Sequence, residues 1–277
     1  MDEAPAGALR GELAVYSATF PDGTSEYRYF LRVGGDALDE RRLRFAANPD
    51  LASGAWLDVW GRAEGKEIVV DRFAPVAISG GVEATWRALV TADPYKTRTI
   101  AFVLVDLGAG VNLTEDEALA RVMGTESDDE SVRQYFIEAS FGRQDVDGQV
   151  FGPLSMTMNA CETNSIPSTL RSQIPGTFDQ YFWYMGNRVS ACDWAGLASV
   201  GSPDRPARDT WFNATSSCTV LVHEPGHNFG MKHASSMKCG TEVFVDEPDG
   251  VCTHSEYGDN LDAMGSGCRH MNSYTKT

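Results

Sequence analysis

His223-Glu224-Pro225-Gly226-His227-Asn228-Phe229-Gly230-Met231-Lys232-His233 is the stretch on which the fold and the chemistry turn. Histidines four positions apart on a helix project from one face, so both imidazoles can reach one ion. Gly230 can take up the left-handed conformation that ends a helix, which lets the chain turn and bring back His233 as a third ligand. Three neutral imidazoles leave the fourth position of a tetrahedral zinc open to water, as in catalytic rather than structural sites. Glu224 stands beside the first histidine, where its carboxylate can accept a proton from that water. A structural zinc would need a fourth protein ligand instead, from His254, His270 or a thiolate.

Outward from this stretch, residue types are unevenly spread. All five histidines follow residue 220, and all six cysteines follow residue 160. An even cysteine count, with no pair at the two-residue spacing of thiolate zinc sites, predicts disulfides in an oxidising compartment. Cys239 and Cys252 bracket the loop after His233 and form one candidate pair. The 277-residue chain carries a formal charge of -16. That charge argues against nucleic acid or an anionic membrane surface as partner, and no apolar run is long enough to span a bilayer. Met1-Asp2-Glu3-Ala4-Pro5 lacks the basic head and apolar run of an export signal. With the cysteines, this predicts a secreted or extracellular protein whose signal peptide has been removed.

The first 80 residues carry five short alternating runs, Leu13-Ala14-Val15, Tyr27 to Val33, Leu43-x-Phe45, Leu57-x-Val59 and Ile68-Val69-Val70. Turn residues such as Pro21-Asp22-Gly23 and Asn48-Pro49-Asp50 separate them, so residues 1–80 read as a small all-β barrel or sandwich domain. A linker is expected over residues 81–97. In the second domain, residues 98–277, Ile100 to Val105 is a continuous apolar run, as in a strand buried on both faces. Ser127-x-x-Glu130 reads as a capping box ahead of a helix through Val132, Tyr135, Phe136 and Ala139, stopped by Gly142. Strand-like stretches follow near residues 146–151 and 178–185. The expected class of this domain is α+β, a twisted mixed sheet with an active-site helix.

Together with Asp262-Ala263-Met264-Gly265, the run from His223 to His233 resembles the metzincin metalloproteases and their Met-turn. Finer features are similar to the gametolysin-like family of that clan: Ser131 to Phe136, Glu138 to Gly142, Phe178-Asp179-Gln180-Tyr181, Trp194 to Ala198, and Tyr257-Gly258-Asp259. The resemblance implies a zinc endopeptidase acting on protein or peptide substrates. It implies one catalytic zinc on His223, His227 and His233, Glu224 as general base, and Met264 as an apolar floor beneath the metal. Gly196, Leu197 and Ala198 would form an edge strand that holds extended substrate by antiparallel pairing. Residues 1–80 stand where the clan carries a propeptide. With no cysteine before Cys161, a thiolate cannot block the zinc, which leaves a folding aid, an inhibitory domain using another ligand, or a permanent binding domain.

Some features depart from that pattern. Pro225 lies well inside the expected helix, where it deletes the hydrogen bond to the Leu221 carbonyl at a cost of about 3 kcal/mol. A kinked helix that still binds metal is expected. Few residues follow Met264, so the chain is C-terminally truncated or its specificity pocket is minimal. Both features favour the alternative, a non-catalytic zinc-stabilised binding module or an impaired protease homologue. Among lesser signals, Asn112-Leu113-Thr114 and Asn213-Ala214-Thr215 fit glycosylation sequons. The acidic cluster Glu126 to Glu130 fits either calcium or a solvated helix start. Tyr257 could assist catalysis or simply pack.

Overall fold

The computed structural model describes residues 4–36, 39–65, 67–76, 96–124, 130–203, 205–241 and 252–268. Its first strand, β1 (Leu9–Thr19), has apolar residues at successive positions, so both of its faces need cover. Leu13 and Val15 enter one cluster with Tyr29, Leu31, Leu43 and Leu57. Ala14, Tyr16 and Ala18 enter another with Val103, Trp183, Trp194 and Trp211. The two-residue period of a strand thus serves two cores at once.

Within the first core, β1 pairs antiparallel with β2 (Ser25–Val33). Next come β3 (Glu40–Arg44), β4 (Trp56–Glu64) and β5 (Glu67–Pro75). β3 joins β2 to β5, β5 pairs with β4, and β4 returns to β1, which closes a five-stranded barrel. The five strands match the five alternating runs of the sequence.

The second sheet is built from β6 (Lys96–Asp106), β7 (Gln144–Ser155), β8 (Gln180–Met185), β9 (Gly196–Ser199) and β10 (Asp209–Asn213). Its order is β9-β10-β8-β6-β7, parallel except where β9 runs antiparallel to β10. Ile100, Phe102 and Leu104 of β6 face one side, while Ala101, Val103 and Val105 face the other. Four helices cover it: α1 (Glu115–Met123), α2 (Val132–Ala139), α3 (Ser165–Leu170) and α4 (Cys218–Asn228). Ala118, Val122, Val132, Tyr135, Leu221 and Val222 seal the first side from α1, α2 and α4. Ile166 and Leu170 of α3 seal the second. Thr114 and Glu117 form a full capping box on α1. Ser131, not Ser127, caps α2 by accepting from the Gln134 amide, and Ser127 lies outside the described residues.

The expected α+β class is overturned. Strand takes 39% of the described residues against 16% for helix, and the fold is mostly β and rich in barrel. The reason lies in β1. Its last four residues pair with β9, so the barrel and the second sheet form one ten-stranded sheet. Strands of eleven or twelve residues carry the chain there, while the helices span only six to eleven. The expected linker, residues 81–97, lies outside the described residues apart from 96 and 97, which begin β6.

Three disulfides link Cys161 to Cys192, Cys218 to Cys268 and Cys239 to Cys252, which fits an extracellular protein. Among the described residues, no helix is long and apolar enough to cross a membrane.

Candidate metal centre

α4 starts after Ser217 and runs through Pro225 to Asn228, so the proline is accommodated inside the helix. Pro225 has no N–H to offer the Leu221 carbonyl, yet His223 and His227 still converge. At Gly230 the chain adopts φ +83°, and the Gly230 and Met231 amides donate to the His227 and Gly226 carbonyls. This left-handed stop turns the chain, as the sequence predicts, and returns His233 to the other two.

The three Nε2 atoms meet at one point. His227 Nε2 is 3.1 Å from His223 Nε2 and 3.1 Å from His233 Nε2. Ligand nitrogens at about 2.0–2.1 Å around a tetrahedral zinc would stand roughly 3.3 Å apart, so the spacing fits. Each opposite ring nitrogen already has an acceptor. His223 Nδ1 donates to the Ala263 carbonyl (2.8 Å), His227 Nδ1 to the Met231 carbonyl (2.7 Å) and His233 Nδ1 to Glu256 Oε1 (2.7 Å). With the proton held on Nδ1, all three Nε2 lone pairs point at each other. A bound cation would relieve that arrangement, and at His233 the Tyr257 hydroxyl, 3.0 Å from Nε2, can also donate. These residues can hold a metal ion, and among the described residues no other histidine, cysteine or carboxylate joins the cluster. His254, a candidate fourth ligand, sits on the exposed strand β12 (Thr253–Ser255), which pairs with β11 (Ser236–Lys238). His270 lies outside the described residues.

Glu224 is wholly buried beside the cluster, and neither carboxylate oxygen has a hydrogen-bond partner. Space for it comes from Gly196 on β9, where a Cβ would meet Glu224 Oε1 at 2.3 Å. Met264 lies beneath Gly226, where a Cβ would meet its sulfur at 2.3 Å, so the glycine lets the methionine seat under the histidine-bearing turn. The Cys218–Cys268 disulfide ties the start of α4 to the chain just past Met264. Asp262 Oδ1 accepts from the Met264 amide, so the Ala263 carbonyl and Met264 are set by one turn. Asn228 then fastens α4 to the sheet. Its Oδ1 accepts from Gln180 and Thr210, and its Nδ2 donates to the Ser199 carbonyl.

Burial also sets the charge states. It pushes His223 down to about 3, with the neighbouring His233 adding to the effect. Burial likewise holds His227 well below the usual imidazole range, and lowers His233 against the opposing pull of Glu256. All three stay neutral, as ligands must. For Glu224, burial raises the pKa to about 8, and the nearby Thr19 hydroxyl moderates the rise without closing a hydrogen bond of full geometry.

Tyr257, which the sequence offers as a catalytic or packing residue, holds its hydroxyl 3.0 Å from His233 Nε2, at the rim of the cluster. Several other groups at the centre escape a reading of the sequence. Glu256 orients His233. Three more come from the barrel. Tyr27 stacks on His233 at 6.0 Å, Ser25 Oγ lies 3.3 Å from His233 Nδ1, and Thr19 reaches Glu224. Their only sequence signal was the turn at Pro21-Asp22-Gly23 between two strands, which says nothing of what the hairpin touches.

Two expectations need correction at this level. Gly196, Leu197 and Ala198 do lie on a strand passing Glu224, but β9 is not an edge. Its outer lane is filled by β1, with Thr19 opposite Gly196, Ala18 opposite Leu197 and Ser17 opposite Ala198. The Asn213 sequon is also unusable as folded, because Asn213 is 2% exposed and its amide donates to the Val189, Cys192 and Trp194 carbonyls. Of the acidic cluster, residues 126–129 lie outside the described residues. Glu130 is exposed near Cys218 and Cys268, whose sulfurs are taken by their disulfide.

No family model, no curated protein and no solved structure matches this chain.

Proposed function

We propose that the chain is a zinc-dependent endopeptidase, exported to an oxidising compartment, with His223, His227 and His233 as the zinc ligands and Glu224 as the general base. The observation that carries this reading is the convergence of three Nε2 lone pairs beside a buried carboxylate with no hydrogen-bond partner. Bound zinc would supply Lewis-acid chemistry, polarising a peptide carbonyl and making water nucleophilic near neutrality. Glu224 would take the proton from the attacking water and return it to the leaving amine. A pKa raised by burial and lowered again by a nearby cation suits a group that must do both near pH 7. The Ala263 and Met231 carbonyls and Glu256 would keep the imidazoles in the ligating tautomer. Met264 would keep water from below the metal. The likeness to gametolysin-like metzincins supports this reading through the site motif, not through the fold.

Replacing Glu224 with Gln tests the assignment. The variant should hold zinc at the wild-type stoichiometry and lose chelator-sensitive cleavage of quenched peptides by about 10²–10⁴-fold. Undiminished cleavage overturns the role of Glu224. A second reading, a non-catalytic zinc-stabilised module, is favoured by one observation: His223, His227 and Glu224 are all buried under the barrel. It forecasts zinc-dependent stability with no chelator-sensitive cleavage under any condition.

A further inference from the structure

The end of the β1–β2 hairpin lies directly on the histidine cluster. Thr19 and Ser25 are the last paired residues before the turn. The Ser25 hydroxyl donates to Glu256 Oε1 at 3.1 Å and sits 3.3 Å from His233 Nδ1. Tyr27 stacks on His233 and meets His227 edge-on. Thr19 pairs with Gly196, the residue whose missing side chain makes room for Glu224. Behind this tip, Tyr16 to Thr19 form an antiparallel ladder on β9, with the Ala195 amide donating to the Thr19 carbonyl at 2.7 Å and the Val200 amide to the Val15 carbonyl at 2.8 Å. Under this cover His223 is 2% exposed and His227 and Glu224 are 0% exposed.

We infer that the β1–β2 hairpin is a built-in plug, in which Tyr16–Thr19 occupies the β9 lane that an extended peptide would take while Thr19, Ser25 and Tyr27 roof the histidine cluster. What it keeps latent rests on the hydrolase reading above, whereas the closure does not. The barrel is arranged so that the plug can leave as a unit. β1 pairs with β2 from Gly11 through Thr19 and with β4 from Leu9 through Glu12, and none of those pairs uses β9. The turn holds itself, through the Phe20 amide on the Thr24 carbonyl and the Thr24 amide and hydroxyl on Asp22. Withdrawal breaks the short β9 ladder and bares Tyr16 and Ala18, which pack near Trp183 and Trp211. That apolar contact makes the closed state the default. Two exposed ion pairs at the rim tune it: Arg28 to Asp193 at 3.2 Å, and Lys232 to Asp50.

The test uses the full chain free of metal and reads histidine access rather than catalysis. Diethyl pyrocarbonate modification is followed residue by residue by mass spectrometry, with His254, on an exposed strand, as internal standard. In the wild type His223, His227 and His233 should react at least about tenfold more slowly than His254. The surface double variant Asp50→Lys/Asp193→Arg reverses both rim pairs without touching a core, and should speed all three about three- to tenfold in low salt while leaving His254 unchanged. Tyr27→Ala should act in the same direction. Reaction of the three histidines as fast as His254 in the wild type, or no acceleration in either variant, overturns the plug. With zinc added, chelator-sensitive peptide cleavage should rise alongside access in the same variants. Greater access without cleavage leaves the plug standing and removes the hydrolase reading.

Discussion

In the barrel, charged residues pair at the surface, as Arg41 with Asp39 and Arg62 with Glu64, around an interior of Leu13, Val15, Leu31, Leu43 and Leu57. Around the histidine centre the interior itself is polar: His223, Glu224, His227, Asn228, Asn213, Thr210 and Asp262 are all buried. An unpaired polar group in such a place costs about 1–3 kcal/mol, and most of these groups are held by partners. Asn213 and Asn228 show this, each bonded to several carbonyls or side chains. Among the described residues, Glu224 is the one carboxylate whose buried oxygens lack a hydrogen bond. The contrast separates polar atoms that only hydrate a surface from those that lock a site, and it sets Glu224 apart as a buried carboxylate without a hydrogen bond.

The largest way to break that contrast is through pH. The Glu224 carboxyl has its pKa raised by burial to about 8 in the fold, from about 4.5 for an ordinary glutamate. A raised group favours the fold below its unfolded pKa and loses that contribution as pH rises through the folded one. In metal-free protein, wild type should therefore weaken relative to Glu224→Gln between about pH 4.5 and 8, by roughly 1.4 kcal/mol per unit. Urea unfolding of the pair across that range checks it. Parallel curves would mean that Glu224 is solvated. The buried histidines act the other way. Their depressed pKa values remove stability as pH falls below 6.5, equally in both proteins.

Next in size is Asn213→Ala, which strands three buried carbonyl acceptors. It should cost about 3 kcal/mol in urea unfolding, and a loss near zero would show that water replaces the amide. Gly226→Ala should cost about 1–3 kcal/mol and weaken zinc binding, because the new Cβ collides with Met264. Calorimetry with a parallel zinc titration would resolve both effects, and unchanged zinc affinity would show that the floor under the metal can shift freely. Smallest is Asp39→Ala in the barrel. The unfolding midpoint should stay where it is, since the Arg41–Asp39 pair is exposed. A large drop there would erase the distinction between the two regions.

Much of this was legible from local pattern. The five barrel strands are announced by alternation, and the histidine cluster that can hold a metal by its spacing with a glycine stop. The α+β expectation failed for a physical reason: β1 is apolar in both phases, at Leu13 and Val15 and at Ala14 and Tyr16, and that pattern does not say which second surface it seals. The groups that orient His223 and His227 are backbone carbonyls, of Ala263 and Met231, and a carbonyl leaves no mark on residue identity. Pro225 lies inside the helix, as expected, and His223 and His227 still converge. Its cost is local, but convergence of the histidines is held by contacts beyond the helix, including the disulfide at Cys218 and the turn at Asp262.

By itself the sequence determined which residues can ligate a metal, because a four-residue spacing and a left-handed stop act within one turn of chain. Tertiary structure alone decided that the centre is closed. Ser25 meets His233 across 208 positions, and Thr19 reaches Glu224 only because β1 pairs with β9. Contacts of that range arise from the pairing of whole strands, which no short stretch of residues encodes.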